Sequence, residues 1–205
     1  MVQHVHTAVY DTMADWEVGF ATAHINNDEW QVEPGRYRVV TVGASREPVT
    51  SMGGLRITPD IALDDLSPAD SAMLVLPGAG TWLTGDNAPF AKAARAFLDA
   101  GVPVAAICGA TGGLAAEGLL DDRRHTSNAR EFTEAFGSKG GDLYCDAPAV
   151  TDRGLITASG TAPVHFAREV FAALGLYTPE VLASWFKLYG LNDPAGYYEL
   201  AGGAA

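Results

Sequence analysis

The chain predicts an α/β fold built on a mainly parallel sheet, and three observations carry that prediction. Short apolar runs such as residues 72–76 and 102–107 have the length and composition of buried strands. Segments of helical periodicity alternate with them along the chain. Glycine-rich turns stand at the strand ends, notably Pro77-Gly78-Ala79-Gly80 and Gly109-Ala110-Thr111-Gly112-Gly113.

Taken in order, residues 4–10 make the first strand, Asp11-Thr12 a turn, and Asp15-Trp16-Glu17 the start of a helix. That helix runs to about residue 24 and stops at Asn26-Asn27-Asp28. Residues 36–42 are a second strand, and residues 48–59, with Gly53-Gly54 in the middle, a small hairpin. The polar stretch 67–70 leads into the strand 72–76. Asp86-Asn87 can cap a helix over 90–100, which Gly101 stops. The strand 102–107 and a helix that includes 114–117 come next. Residues 119–128 predict a turn and a short strand, and 129–136 a short helix. Residues 149–151 and 155–158 are the arms of a hairpin turning at Asp152-Arg153-Gly154. Residues 161–174 form a helix with Ala162, Phe166, Val170 and Leu174 on one face. A last amphipathic segment, 179–189, precedes a Gly/Ala tail. With no repeat, linker or boundary in view, residues 1–205 are expected to form one domain, 179–205 being a helical extension and tail.

The 205 residues are 48% hydrophobic and 9% aromatic, the composition of an ordinary globular protein. The formal net charge is −12, from 25 acidic and 13 basic residues, and such a surface repels phosphate backbones, so no nucleic-acid partner is expected. No apolar run approaches the ~20 residues needed to cross a bilayer, and the first residues have no signal-peptide pattern. A soluble cytoplasmic location without a membrane partner follows as the expectation. Two cysteines, Cys108 and Cys145, do not make a disulfide framework.

The stretch from Gly101 to Gly118 holds the strongest chemical signal. Cys108 stands between the strand and the helix, with Ala106 and Ala110 two positions to either side, which is the steric requirement of a nucleophile elbow. A sulfur at a helix N-terminus meets unpaired N–H groups and the positive end of the dipole, which favour a thiolate. Function in an open α/β sheet gathers beyond the carboxyl ends of the strands. Three further turns qualify there: Asp11 to Glu17, the Pro77 to Gly80 turn with Trp82 just beyond it, and residues 125–128. In the last of these His125 is a candidate general base. His4 and His6 share a strand face, but no third ligand is near in sequence, so no metal is expected.

Four motifs in this order, Asp15-Trp16-Glu17, Leu74-Val75-Leu76-Pro77-Gly78, Ala106-Ile107-Cys108-Gly109-Ala110-Thr111 and 155–162 followed by Phe166-Ala167, resemble the ThiJ/PfpI superfamily over nearly the whole chain. That group is related to class I glutamine amidotransferases. The resemblance implies a flavodoxin-like three-layer sandwich, a homodimer and a reactive cysteine. By position Cys108 is that cysteine and Glu17 the carboxyl group beside it. Gly109 and Ala79 would supply oxyanion N–H donors, and Asp15, Gly78, Trp82 and Asn128 would line the pocket. The chain also departs from the pattern. The intracellular-protease branch has a histidine where Gly109 stands, and the deglycase branch has one where Asn128 stands. His125 lies three residues earlier, an odd offset that on an extended strand points to the opposite face. Either the stretch loops so that His125 reaches Cys108, or the cysteine has no histidine partner. His165-Phe166-Ala167 breaks the His-x-Glu of the glutaminases, which argues against glutaminase and weakens protease.

The expected function is a cysteine-dependent enzyme acting on a small electrophile: a reactive carbonyl, an isonitrile or an amide. Cys108 would attack, Glu17 would move the proton, and no cofactor would be needed. The alternative is a redox-sensing or stress-response protein whose Cys108 is oxidised.

Overall fold

The middle strands of the sheet are apolar on both faces, which obliges helices to cover both. In β1 (Gln3–Ala8) the last four residues are buried, as are Met73 to Leu76 and the whole of the strands Val104–Ile107 and Leu155–Ala158. The computed structural model describes residues 2–202. In chain order the elements are β1, α1 (Asp15–Asn26), β2 (Tyr37–Gly43), β3 (Val49–Thr50), β4 (Arg56–Ile57), β5 (Ile61–Ala62), β6 (Ser71–Leu76), α2 (Thr81–Thr84), α3 (Ala88–Asp99), β7 (Val104–Ile107), α4 (Gly109–Ala116), α5 (Arg130–Ala135), β8 (Ala149–Asp152), β9 (Leu155–Ala158), α6 (Pro163–Leu174), α7 (Pro179–Leu191) and α8 (Ala195–Gly202). Seven strands form one sheet in the order β5-β2-β1-β6-β7-β9-β8, parallel except for β8, which pairs antiparallel with β9. The hairpin of β3 and β4 stands apart as a two-stranded ribbon.

The chain steps outward from β1 through α1 to β2, then in the other direction from β6 through α3 to β7. Right-handed crossovers therefore place α1 and α3 on opposite faces. Packing agrees: α1 lies on α6, and α6 on β7, β8 and β9, while α3 lies on α4 and against β6 and β7. The result is a flavodoxin-like three-layer α/β sandwich. The reversal between β1 and β6 opens a crevice at their carboxyl ends, the place where such sheets bind ligands.

Two sequence expectations need correction. Residues 119–128 contain no strand, only an isolated bridge from His125 to Tyr144. The reason lies in its backbone donors: Arg124 N–H goes to Asp152 Oδ2 (2.8 Å) and Thr126 N–H to Thr157 Oγ1 (2.9 Å), so side chains take the place of a ladder. The Gly/Ala tail is helical as far as Gly202. Asn192 in the left-handed conformation ends α7, and α8 then folds back against it. Residues 203–205 of the expected tail lie outside the described residues. α7 itself packs on the body through Trp185, which is fully buried against Phe171 and donates from Nε1 to His24 Nε2 (3.2 Å). Among the described residues no helix is long and apolar enough to cross a membrane.

Candidate active site

Cys108 is the residue on which β7 turns into α4. Its φ of +58° and ψ of −124° are left-handed values that a residue with a side chain adopts at a cost of roughly 1–3 kcal/mol. Neighbouring bonds hold it there. Cys108 N–H donates to Ala158 O (2.9 Å), and its carbonyl accepts from Thr111 Oγ1 (2.6 Å) and Thr111 N–H (3.1 Å). The elbow expected from the sequence is thus present as backbone geometry, with the half-buried thiol at the start of α4.

Glu17, in the first turn of α1, is fully buried, and its Oε2 accepts from Gly78 N–H at 2.6 Å. Two glycines let the carboxyl group and the sulfur meet. A Cβ on Gly78 would lie 2.8 Å from both Cys108 Cβ and Glu17 Oε2. A Cβ on Gly160 would lie 2.7 Å from the sulfur and 3.1 Å from Glu17 Oε1. Contacts that short do not occur, so a side chain at either position would drive the pair apart. The β9–α6 turn closes the other side. Asn128 Nδ2 donates to the sulfur (3.3 Å), and its Oδ1 accepts from Gly160 N–H (2.9 Å). Trp16 Nε1 donates to Gly160 O (3.1 Å), which ties α1 to the same turn.

Burial raises the Glu17 pKa from 4.5 to about 7, against the pull of Gly78 N–H and of the nearby Cys108 thiol; Oε1 is buried with no hydrogen-bond partner among the described residues. Burial also pushes the thiol up, and the Asn128 amide works against that, as does Gly109 N–H; the Glu17 carboxylate adds to the rise. Two neighbouring acids that both resist ionisation titrate as a coupled pair, the charge on one hindering ionisation of the other. The N-terminus of α4 opposes part of the rise in the thiol.

Most of the expected site converges here: Cys108, Glu17, Asn128 and Gly78, with Gly109 at the first position of α4. Ala79 N and O would lie 3.4 and 3.2 Å from a Cβ on Gly109, so the two expected oxyanion donors are neighbours. Asp15 does not touch the sulfur. Its Oδ2 accepts from Gly53 N–H (2.6 Å) and straps the β3–β4 hairpin to α1 at the rim. Trp82 is buried with Nε1 on Pro77 O (2.9 Å), and it lines a cavity together with Leu83, Gly113 and Phe136. His125 is not bonded to Cys108. Its ring is fully buried, with Nδ1 against Arg123 O (2.8 Å), Nε2 without a partner, and an edge-on contact to Tyr144. Of the two arrangements left open by the sequence, the geometry has Asn128 and not His125 on the sulfur. His6 Nδ1 meets Ser71 Oγ (2.7 Å), and among the described residues no three acidic, His or Cys side chains gather as a metal-ligand set. Sequence reasoning missed Gly160, Trp16 and Tyr10. For Gly160 a signal was available, since Ser159-Gly160-Thr161 is one more glycine turn at the carboxyl end of a parallel strand.

Comparison with known proteins identifies the family. The family model of the DJ-1/PfpI family matches residues 3–173. A Bacillus subtilis (strain 168) protein named uncharacterized protease YoaZ is 41% identical over 199 residues, covering 96% of this chain and 95% of the other. The crystal structure of a ThiJ/PfpI family protein from Bacillus anthracis superposes with a TM-score of 0.91 at 40% identity, covering 98% and 97% of the two chains. A Caenorhabditis elegans protein named glutathione-independent glyoxalase DJR-1.2 is 29% identical over 129 residues, 62% of this chain and 67% of the other. With the fold, the elbow and the matched span in accord, the chain belongs to the DJ-1/PfpI family and has its class I glutamine amidotransferase-like fold.

Proposed function

We propose that the protein is a cysteine-dependent enzyme acting on small reactive carbonyl compounds, with Cys108 as nucleophile and Glu17 as its proton carrier. The observation that carries this reading is the buried Glu17 carboxyl group beside Cys108, with an amide, Asn128, on the sulfur where a base would otherwise stand. Cleaving an amide asks for a second proton-transfer group to protonate the departing amine. Addition to a carbonyl asks for one proton only, and Glu17 supplies it. The name of the glyoxalase relative lends further support.

For a 1,2-dicarbonyl the steps balance as follows. The thiolate gives its electron pair to the aldehyde carbon, the carbonyl pair moves to oxygen, and that oxygen takes the Glu17 proton. The product is a hemithioacetal beside an ionised Glu17. Glu17 then removes the proton from the same carbon, the electron pair forms an enediolate, and Glu17 returns the proton at the neighbouring carbon while the hydroxyl proton of the first carbon passes to the second oxygen. One carbon is thereby oxidised to a thioester and the other reduced to an alcohol. Water hydrolyses the thioester to a 2-hydroxy acid and frees the thiol. The Gly109 and Ala79 N–H groups would hold the oxyanions.

The test is product formation from a panel of dicarbonyls, amides and isonitriles. Hydroxy-acid release from dicarbonyls is expected, abolished in Cys108→Ala and lowered by about 10²–10⁴-fold in Glu17→Gln. Turnover of amides or isonitriles in place of carbonyls would overturn the substrate class. No turnover at all, with peroxide oxidising Cys108 selectively, would favour the redox-sensing alternative.

A further inference from the structure

One buried peptide links the pair to a part of the protein that does not touch it. Pro77 O accepts two side-chain donors, the Tyr10 hydroxyl and Trp82 Nε1 (2.9 Å), and Trp82 Nε1 also donates to Tyr10 Oη (3.0 Å). The N–H on the far side of this same peptide is that of Gly78, the donor to Glu17 Oε2. Both aromatic side chains are buried, their rings edge to face at 5.8 Å, and Tyr10 also packs on Phe90. A trans peptide carries its C=O and N–H as one rigid dipole. Donors that fill both lone pairs of the oxygen make the opposite N–H a stronger donor, and away from water such chains of hydrogen bonds reinforce one another. Tyr10 follows β1 and Trp82 lies in α2, so the peptide is gripped from two elements while it grips Glu17.

From this arrangement we infer that Tyr10 and Trp82 are positioning residues that set, through the Pro77–Gly78 peptide, how the proton is divided between Glu17 and Cys108. By strengthening the Gly78 donor they stabilise the Glu17 carboxylate, so that the proton is held loosely enough to pass on. Without them the carboxyl group keeps its proton more firmly and more of the charge rests on sulfur. The titratable groups facing Glu17 are Cys108, from the β7–α4 turn, and Tyr10 itself. Burial holds the Tyr10 phenol well above its ordinary range, so it remains a neutral donor while the pair titrates. The inference rests on the coupled titration of the pair and not on any substrate.

The experiment follows the rate of Cys108 alkylation by iodoacetamide between pH 5 and 10 in wild type, Tyr10→Phe, Glu17→Gln and the double variant. Tyr10→Phe keeps the ring and loses the hydroxyl. It is expected to raise the lower apparent midpoint by about 0.3–0.7 pH unit and to speed alkylation on the plateau above it about two- to fivefold. In the Glu17→Gln background the same substitution is expected to change nothing. An unchanged profile in Tyr10→Phe would overturn the inference, and so would an equal shift in both backgrounds, which would mark Tyr10 as merely structural. Trp82→Phe, which removes the second donor, should shift the midpoint in the same direction, and a shift the other way would also overturn it. Alkylation needs no turnover, so a failure to find a carbonyl substrate leaves this test intact.

Discussion

A carboxyl group sealed against a thiol is costly to ionise, and the folded state bears that cost whenever the solution is basic enough to strip the proton. For Glu17 the folded pKa is about 7 against 4.5 in the free side chain. Below 4.5 both folded and unfolded chains hold the proton, and stability is unaffected. Between 4.5 and 7 the unfolded chain ionises first, so native stability falls as pH rises, and above 7 the full penalty of at most about 3 kcal/mol applies. Glu17→Gln removes the titration while keeping an acceptor for Gly78 N–H. Its stability relative to wild type, measured by urea unfolding, should therefore climb through that window and level off. A difference independent of pH would mean that ionising Glu17 costs the fold nothing. Gly160→Ala acts on the same pair by shape, because its Cβ would fall 2.7 Å from the sulfur. It should lower stability by about 1–3 kcal/mol and slow Cys108 alkylation at least tenfold, which thiol labelling and thermal melts can check.

At the scale of the element, the β7–α4 turn holds a side chain in a conformation that only glycine adopts freely. Substituting Cys108 by glycine should therefore give a protein more stable than Cys108→Ala by about 1–2 kcal/mol, the reverse of the usual order at a helix start. Equal unfolding midpoints for the two variants would show that the turn is unstrained. This element was the most legible part of the sequence, because a strand, a cysteine between small residues and a helix lie within 18 consecutive positions. The pairing of Glu17 with Cys108 was legible only through the resemblance of whole motifs. The Asn128 amide and the Gly160 turn meet across 32 residues, and Trp16 meets Gly160 across 144. No local periodicity encodes such contacts. The short strand expected near His125 failed for a related reason, since its backbone donors are claimed by Asp152 and Thr157, side chains far away in sequence.

Across the whole molecule, the site is assembled from the carboxyl ends of four strands, and the C-terminal helices brace the layer that carries α1. Trp185 is the bolt of that brace, fully buried and bonded to His24 of α1. Trp185→Ala should cost about 3–5 kcal/mol in urea unfolding and open α7 to limited proteolysis. A loss below 1 kcal/mol would show that α7 contributes little to the fold. The two glycine amides of the site have a consequence in time as well as in space. Gly78 N–H is spent on Glu17, and Gly160 N–H on Asn128. Each can trade its hydrogen for deuterium only when its bond parts, so the pair acts as a clock on the breathing of the crevice. Equal exchange rates would mean that the two walls swing as one gate, and unequal rates that one wall is hinged and the other fixed.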